Sequence, residues 1–534
     1  MKLKNSILAI SALLVLNACG DFLEPNSKSE FVPRDAVSLN ELLLGEAYQR
    51  DDLDEFNAFL NLLDDDIEAS SYQEPSSGFD ANKYTASFTW QPDMFEMMDN
   101  ANMRTTNIYK SYYELILGAN AVIDYLSEVN DTEENINKVK AQAYALRGFY
   151  YLNLVNLFGM PYNYAPDSLG VPLKLHSAIE ESPDYLARKT VREVYTQILS
   201  DLHTAEEAYL MLPESEQWSN SYRTSLPMVQ LVLSRTYLYM ENWEKAAYYA
   251  KQIIENKNFS LQDLNDIPMT TTLDGRTINN YISYASNKSS ETIWPYGYIK
   301  DMFGWVSEYV TNTNTNTNQR MHSYFQASEG LIGTFVDYDL RLTRYIVSSP
   351  KGWSDEMMYM AYGKINIAPT TITMTQNNTT IEKDYYLPKV VTGEFGRSLR
   401  LSEAYLNYAE ACAMMNHQEE ATYALNTLRE KRFDPEDFEE EQFSSQDELI
   451  EFVRDERRRE LCFEGQRWFD LRRWGMPAIT HTWHDSEGHS STYRLEECDL
   501  MYTIPIPNEA MQKNGKLIQN PLPEKRSPIS TTSN

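Results

Sequence analysis

Glycine is scarce, at 20 residues in a chain of 534, and no G-K-[ST] or G-x-G-x-x-G string occurs. Loops that cradle phosphates need such glycines, so the common nucleotide-binding architectures are disfavoured. Four cysteines, Cys19, Cys412, Cys462 and Cys498, are too few and too scattered for a disulfide framework or a paired zinc knuckle. Positive charge is in deficit: 47 Lys and Arg stand against 78 Asp and Glu, a net charge of −31. Such a surface repels a phosphate backbone, which disfavours nucleic acid as a partner, and none is expected. No segment reaches the roughly 18 uncharged apolar residues that a membrane-spanning helix requires. Hydrolase signatures of the G-x-S-x-G and H-E-x-x-H kinds are missing as well, and no enzymatic activity is expected. With 78 carboxylates, any acid pair can be found, and only separation in space would give one meaning. Two groups come near a metal site. His481-x-x-His484-Asp485, with Glu487, His489 and Cys498, lacks regular zinc spacing. Asp64-Asp65-Asp66-x-Glu68 lacks the glycine turn of a calcium loop. Neither a metal nor a cofactor is expected.

What the chain does contain is apolar and aromatic mass. Hydrophobic residues make up 42 % and aromatics 12 %, enough for a large core. At the N-terminus, Lys2 and Lys4 precede an apolar run from Ile7 to Leu16, which reads as a secretory signal over residues 1–18. The closing Leu16-Asn17-Ala18-Cys19 resembles a bacterial lipobox, in which Cys19 becomes the lipidated first residue. Residues 19–30, polar and holding Pro25, then read as a tether.

Helical periodicity dominates residues 31–259. Ala143, Leu146, Tyr150, Leu154 and Leu157 share one face, and Val191, Val194, Ile198, Leu202, Ala205 and Tyr209 share another before Pro213. Met228 to Met240 turns at Glu241-Asn242-Trp243 into Glu244 to Asn256, which predicts an antiparallel pair. Leu401 to Met415 and Gln418 to Lys431 repeat that design, with Ala421 in the register of Ala246. Tyr237, Tyr239, Tyr248 and Tyr249 fall at helical spacing and are assigned to packing. The pairs resemble tetratricopeptide units without a strict repeat, so the expected fold is mainly α: an irregular tetratricopeptide-like helical array.

Residues 260–399 differ in texture. Nine of the 20 glycines lie between Ser260 and Gly396, together with the alternating run from Thr311 to Asn318. A loop-rich excursion containing short strands is predicted there, and such excursions often carry function. Residues 400–534 return to helix, with Ser445 and Glu448 as a capping box. Arg454, Arg457, Arg458, Arg459, Arg467, Arg472 and Arg473 follow, but Asp455, Glu456, Glu460, Glu464 and Asp470 balance them. A salt-bridged structural helix with an Asp455 to Arg459 pair is expected, with Trp468 and Trp474 packed under arginine stems.

Taken together, the lipobox, AQAYALRGFYYLNLVNLFGMPY (Ala141 to Tyr162), RKTVREVYTQILSDLHTAEEAYLMLP (Arg188 to Pro213), RLSEAYLNYAEA (Arg400 to Ala411), ERRRELCFEGQRWFDLRRWG (Glu456 to Gly475) and YTIPIPNEA (Tyr502 to Ala510) resemble the SusD/RagB family. The resemblance covers nearly the whole chain. It implies a surface lipoprotein of the Bacteroidetes outer membrane that captures oligosaccharides for a SusC-like TonB-dependent transporter, or oligopeptides as in the RagB branch. It also implies that 400–534 packs with the N-terminal helices as one unit. The chain departs from the family at Gln519-Asn520-Pro521-Leu522-Pro523, where Q-N-P-G-Y is usual, and at Ile108-Tyr109, where tryptophan is common. Sugar rings stack their C–H faces on flat aromatics and satisfy their hydroxyls at polar edges. By the resemblance, the matching places are Trp90 and the segment Trp294 to Trp305. Trp90, Trp294, Tyr296, Tyr298 and Trp305 are therefore expected as stacking platforms, with Asn102 and Arg104 at their edges.

Overall fold

Thr132 opens the 26-residue helix Glu133–Phe158 (α2) by accepting a hydrogen bond from the Asn135 amide, 3.2 Å away. Before it runs Ile108–Tyr125 (α1), and after it Val191–Leu210 (α3), which starts with a full capping box between Thr190 and Glu193. Packed along each other, α2 and α3 bury Arg147 against Asp201 in a two-pronged pair of 2.8 and 2.7 Å. The computed structural model describes residues 32–50, 58–69, 82–100, 107–179, 183–268, 270–273, 276–279, 284, 286–298, 308–311, 319–322, 325–350, 357–360, 367–376, 379–388, 395–485 and 488–533.

The two expected helix pairs form as Leu226–Tyr239 (α4) with Trp243–Ile254 (α5), and Leu401–Met414 (α6) with Gln418–Glu430 (α7). Each turns through a left-handed residue, Glu241 at φ 58° and Asn416 at φ 61°, and each buries its alanine, Ala246 or Ala421. Because α5 packs on α6, pairs far apart in sequence join one array, the tetratricopeptide-like stack. Tyr237, Tyr239 and Tyr249 are buried as assigned, but Tyr248 is 58 % exposed. It stands on the side of α5 opposite the inward stripe of Ala246, Ala250 and Ile253.

The excursion is built from two-stranded antiparallel pairs: Thr270–Leu273 with Arg276–Asn279, Glu308–Thr311 with Gln319–His322, Val347–Pro350 with Met357–Met360, and Ile367–Gln376 with Thr379–Pro388. Seven further strands tie it and the C-terminal segment to the scaffold: Ile67–Ala69 (β1), Thr292–Tyr298 (β2), Phe325–Ala327 (β3), Phe395–Arg400 (β4), Ile479–His484 (β5), His489–Leu495 (β6) and Ser530–Ser533 (β7). β2 pairs with β4, placing the start and end of the excursion side by side, and β1 pairs with β3. β5, β6 and β7 form a three-stranded sheet.

Beneath β2 and β4 lies a lattice of buried charge, centred on Glu460 of Gln446–Leu461 (α8). Arg400 Nη1 reaches Glu460 Oε1 at 2.6 Å, Arg432 Nε reaches Oε2 at 3.0 Å, and Arg341 Nη1 reaches Oε2 at 3.0 Å. Arg432 also holds Glu291 at 2.6 Å, and Arg341 holds Asp339 at 2.8 Å and Glu456 at 2.7 Å. Burial alone would raise the Glu460 carboxyl, yet Arg432, Arg400 and Arg341 hold it well below the usual range. The same opposition holds Glu456 at about 2. The arginine-rich segment is thus the expected structural helix, with two local differences. Arg459 pairs with Glu456 at 2.9 Å instead of Asp455, because Glu456 lies on the buried face. Ser445 caps α8, but the Glu448 carboxylate receives Ser444 N–H at 2.9 Å, one residue short of the reciprocal box. Trp474 lies under Arg473, Arg454 and Arg467, whereas Trp468 stacks on Tyr502 at 4.7 Å.

Removing one member of such a lattice leaves the others uncompensated. Arg341→Met is expected to cost about 3–5 kcal/mol in urea unfolding followed by circular dichroism. Lys251→Ala, which breaks an exposed pair with Glu255, should leave the curve in place. Equal effects for the two variants would contradict the structural role of the lattice.

Candidate functional site

Residues two apart on a strand share a face, and β2 places Trp294 and Tyr296 in that relation. Gly297, at φ 72°, occupies a conformation that an L side chain rarely takes. Trp294 and Tyr296 stack at 4.7 Å with an interplanar angle of 14°, and both rings stand edge-on to Phe149 of α2 at 5.2 and 5.3 Å. The Trp294 indole N–H donates to the Tyr222 carbonyl at 2.7 Å, and the residue is only 2 % exposed. Trp294 is therefore not the open platform that was expected. Its polar edge and both neighbours are occupied inside the fold, and it backs Tyr296 from beneath. Tyr296 is half-buried, and burial raises its phenol. The ring missing from the sequence reading is Tyr222, which is 45 % exposed and edge-on to Tyr48 at 6.0 Å. It sits in a polar turn with no periodicity to signal it, and only the Trp294 hydrogen bond reveals the proximity.

Trp90 is likewise a core residue, at 0 % exposure. Its indole N–H donates to the Leu63 carbonyl at 2.9 Å, and its ring stacks on His481 at 4.2 Å. Phe88 covers the other face of the same imidazole at 4.1 Å. The Trp90 backbone, at φ 51°, is left-handed, a cost of about 1–3 kcal/mol for a bulky residue that this packing offsets. His481 places Nδ1 2.7 Å from the Phe88 carbonyl and Nε2 2.9 Å from that of Asp64. Burial pushes its pKa down to about 4. Asn102, Arg104, Trp305 and Cys19 lie outside the described residues, as does the Tyr298 side chain. The early and middle aromatics accordingly occupy two places, Trp90 against His481 and Trp294 with Tyr296 against Phe149.

The two groups weighed for metals are engaged otherwise. Asp65 receives a two-pronged Arg467 at 2.7 and 2.9 Å, and Asp66 receives Arg458 at 2.8 Å. His481 and His484 stand on strand β5 at positions of opposite facing. His489 pairs with Asp485 at 3.0 Å, and Cys498 Sγ lies by the Gly475 carbonyl. Among the described residues no group of three His, Cys, Asp or Glu side chains is placed to hold a metal ion.

Two family profiles match the chain in tandem. One, described as the SusD family, matches residues 267–522; the other, described as starch-binding and associating with the outer membrane, matches residues 21–238. SusD-like protein P2 of Formosa agariphila is 26 % identical over 453 residues, covering 80 % of this chain and 82 % of that protein. A solved SusD homolog from Bacteroides thetaiotaomicron superposes with a TM-score of 0.62 at 19 % identity, over 92 % of this chain and 99 % of the other. A SusD-like carbohydrate binding protein from Bacteroides vulgatus gives 0.58 at 18 % identity, over 93 % and 94 %.

The buried imidazole sets a pH dependence. The folded state has a His481 pKa of about 4 against an ordinary 6.5, so the unfolded chain binds the extra proton between those values. The stability contributed by the neutral ring is complete above about pH 6.5 and is lost as pH falls through 4. His481→Gln should flatten that part of the urea midpoint against pH, and NMR should show the native ring titrating near 4. A native midpoint near 6.5 would contradict the buried stack.

Proposed function

The chain belongs to the SusD/RagB family, and from that premise we propose that it is a lipid-anchored, non-enzymatic protein of the bacterial cell surface that captures oligosaccharides and delivers them to a SusC-like TonB-dependent transporter. The observation that carries this reading is the pair of family matches, which span the helical array and the excursion alike. The description of one matching family, starch-binding and associating with the outer membrane, supports that location. Among the described residues no helix is long and apolar enough to cross a membrane. Acyl chains on Cys19, partitioning at about 0.8 kcal/mol per buried CH₂, would supply the attachment.

Capture in this reading is reversible binding, with no bond broken. A sugar ring lays its C–H face on Tyr296, which Trp294 and Phe149 hold flat, so little conformational freedom is lost on binding. Tyr222, whose carbonyl holds the Trp294 indole, is a more open ring. Tyr298 and Trp305 are proposed as further glycan-stacking residues, and Asn102 and Arg104 as hydroxyl partners.

Calorimetry of the purified chain against a panel of oligosaccharides and a mixed oligopeptide pool, with product analysis of every mixture, tests the reading. Saturable heat with one glycan class and unchanged ligand is expected. Tyr296→Ala should weaken binding about tenfold, or about 1.4 kcal/mol, with an unchanged circular dichroism spectrum. Heat with peptides alone would assign the chain to the oligopeptide branch, and cleaved ligand would contradict a binding role.

A further inference from the structure

Of the seven arginines in the arginine-rich segment, five close on carboxylates and Arg472 closes on the carbonyls of Asn156 and Gly159. Arg454 does neither. Its guanidinium lies 5.2 Å from the centre of the Trp474 ring, its Nε is buried without a partner, and among the described residues no acceptor closes on its fork. The fold has thus taken a guanidinium partly out of water and left its donors unused.

Beside it stands an open aromatic ring. Tyr164, in the turn after α2, is 46 % exposed, and its hydroxyl lies 3.7 Å from the point that a Cβ on Gly475 would occupy. Burial raises the Tyr164 phenol, Cys498, Glu241 and Glu497 add to the rise, and the Arg454 charge opposes it, so all of these groups act on one ring. Glu241, in the turn between α4 and α5, receives Asn163 Nδ2 at 2.9 Å, and the same amide donates to the Arg473 carbonyl at 3.0 Å. Asn163 Oδ1 is buried with no donor. Of the six left-handed non-glycine residues among the described residues, Glu241, Met476 and Cys498 border this place, and the Cys498 amide donates to the Met476 carbonyl at 2.9 Å. Such backbone persists where its surroundings fix it.

Opposite charges acting on the same ring would ordinarily pair. Here Arg454 is held on Trp474, Glu241 is held by Asn163 on a left-handed backbone, and the two form no ion pair. A donor fork and an acceptor carboxylate are thereby kept apart next to an exposed tyrosine. A simple anion would gain Arg454 and meet Glu241, and a simple cation the reverse. A hydroxyl group uses both, since it accepts from the guanidinium while it donates to the carboxylate, and a neighbouring hydroxyl on the same ring repeats the pattern. The apolar C–H face of such a ring then lies on Tyr164.

We infer that Tyr164, Arg454 and Glu241 form a second, exposed saccharide-binding site for a neutral sugar with vicinal hydroxyls. The inference rests on the glycan-binding reading but concerns a different place from the Tyr296 surface, and two sites on one chain hold a long glycan more tightly than either alone. The test is NMR of the Gly475 and Cys498 amides in the full chain, titrated with the methyl glycosides of glucose, galactose, mannose and xylose and with glucuronate. Glycerol, which has the hydroxyls but no ring face, is the control. At least one glycoside should shift both amides saturably, glucuronate should bind more weakly, and glycerol should move neither. Tyr164→Ala and Arg454→Met should each weaken that binding about tenfold with an unchanged circular dichroism spectrum. Unmoved amides with all four glycosides, equal shifts with glycerol, tighter binding of glucuronate than of every glycoside, shifts that survive either variant, or shifts lost in Tyr296→Ala would overturn the inference. Oligosaccharide heat in calorimetry while both amides stay silent would overturn this site and leave glycan capture standing. The absence of heat with every glycan would instead remove capture itself.

Discussion

The anchoring of the excursion at its start and end depends on the closure of one charge lattice. Moving a carboxylate or guanidinium out of water costs several kcal/mol per ion, and only a complete set of partners offsets it. Here the partners come from five stretches of chain: Glu291 just before β2, Asp339 and Arg341 within the excursion, Arg400 at the end of β4, Arg432 in the turn after α7, and Glu456 and Glu460 of α8. A shift of any one stretch would strand charges in the interior. The lattice therefore specifies where the excursion begins and ends, and with it the pairing of Trp294 with Leu399 and Tyr296 with Arg397.

What could be read from the sequence follows the range of the interactions. Helices α2 to α8 announce themselves because their periodicity, caps and turn residues are local, and Ala246 and Ala421 mark two backbones in close approach. The near-neutral balance of the arginine-rich segment correctly pointed to internal pairing. Its actual partners could not be read, since Glu291 and Asp339 lie far upstream and a neighbour such as Asp455 was the local guess. Two of the expected platforms, Trp90 and Trp294, failed for a related reason. A tryptophan signals a demand for burial or stacking but not which of the two is met, and the fold meets it by covering Trp90 with His481 and Trp294 with Tyr296. The place of β1 was wholly illegible, because it is set by pairing Ile67 with Ala327 across the N-terminal helices and about half of the excursion.

One helix connects these regions. Successive residues on α8 are turned by about 100°, so four neighbouring positions address different surroundings. Glu456 and Glu460, one turn apart, face the lattice under β2 and β4. Arg457 points elsewhere, to Asp470 at 2.8 Å and Asn407 of α6 at 2.8 Å, which binds α8 to the helical array. Arg458 points to Asp65 and Asp66 and so fixes the chain where β1 begins. A run that looks like a basic patch is thus distributed around a cylinder, each side chain committed to a different neighbour. Because those neighbours carry the aromatic strand β2 on one side and β1 on another, both strands are held in fixed relation to the same helix. Rigidity of that kind suits capture without chemistry: affinity gained at a preformed surface is not spent on ordering the protein.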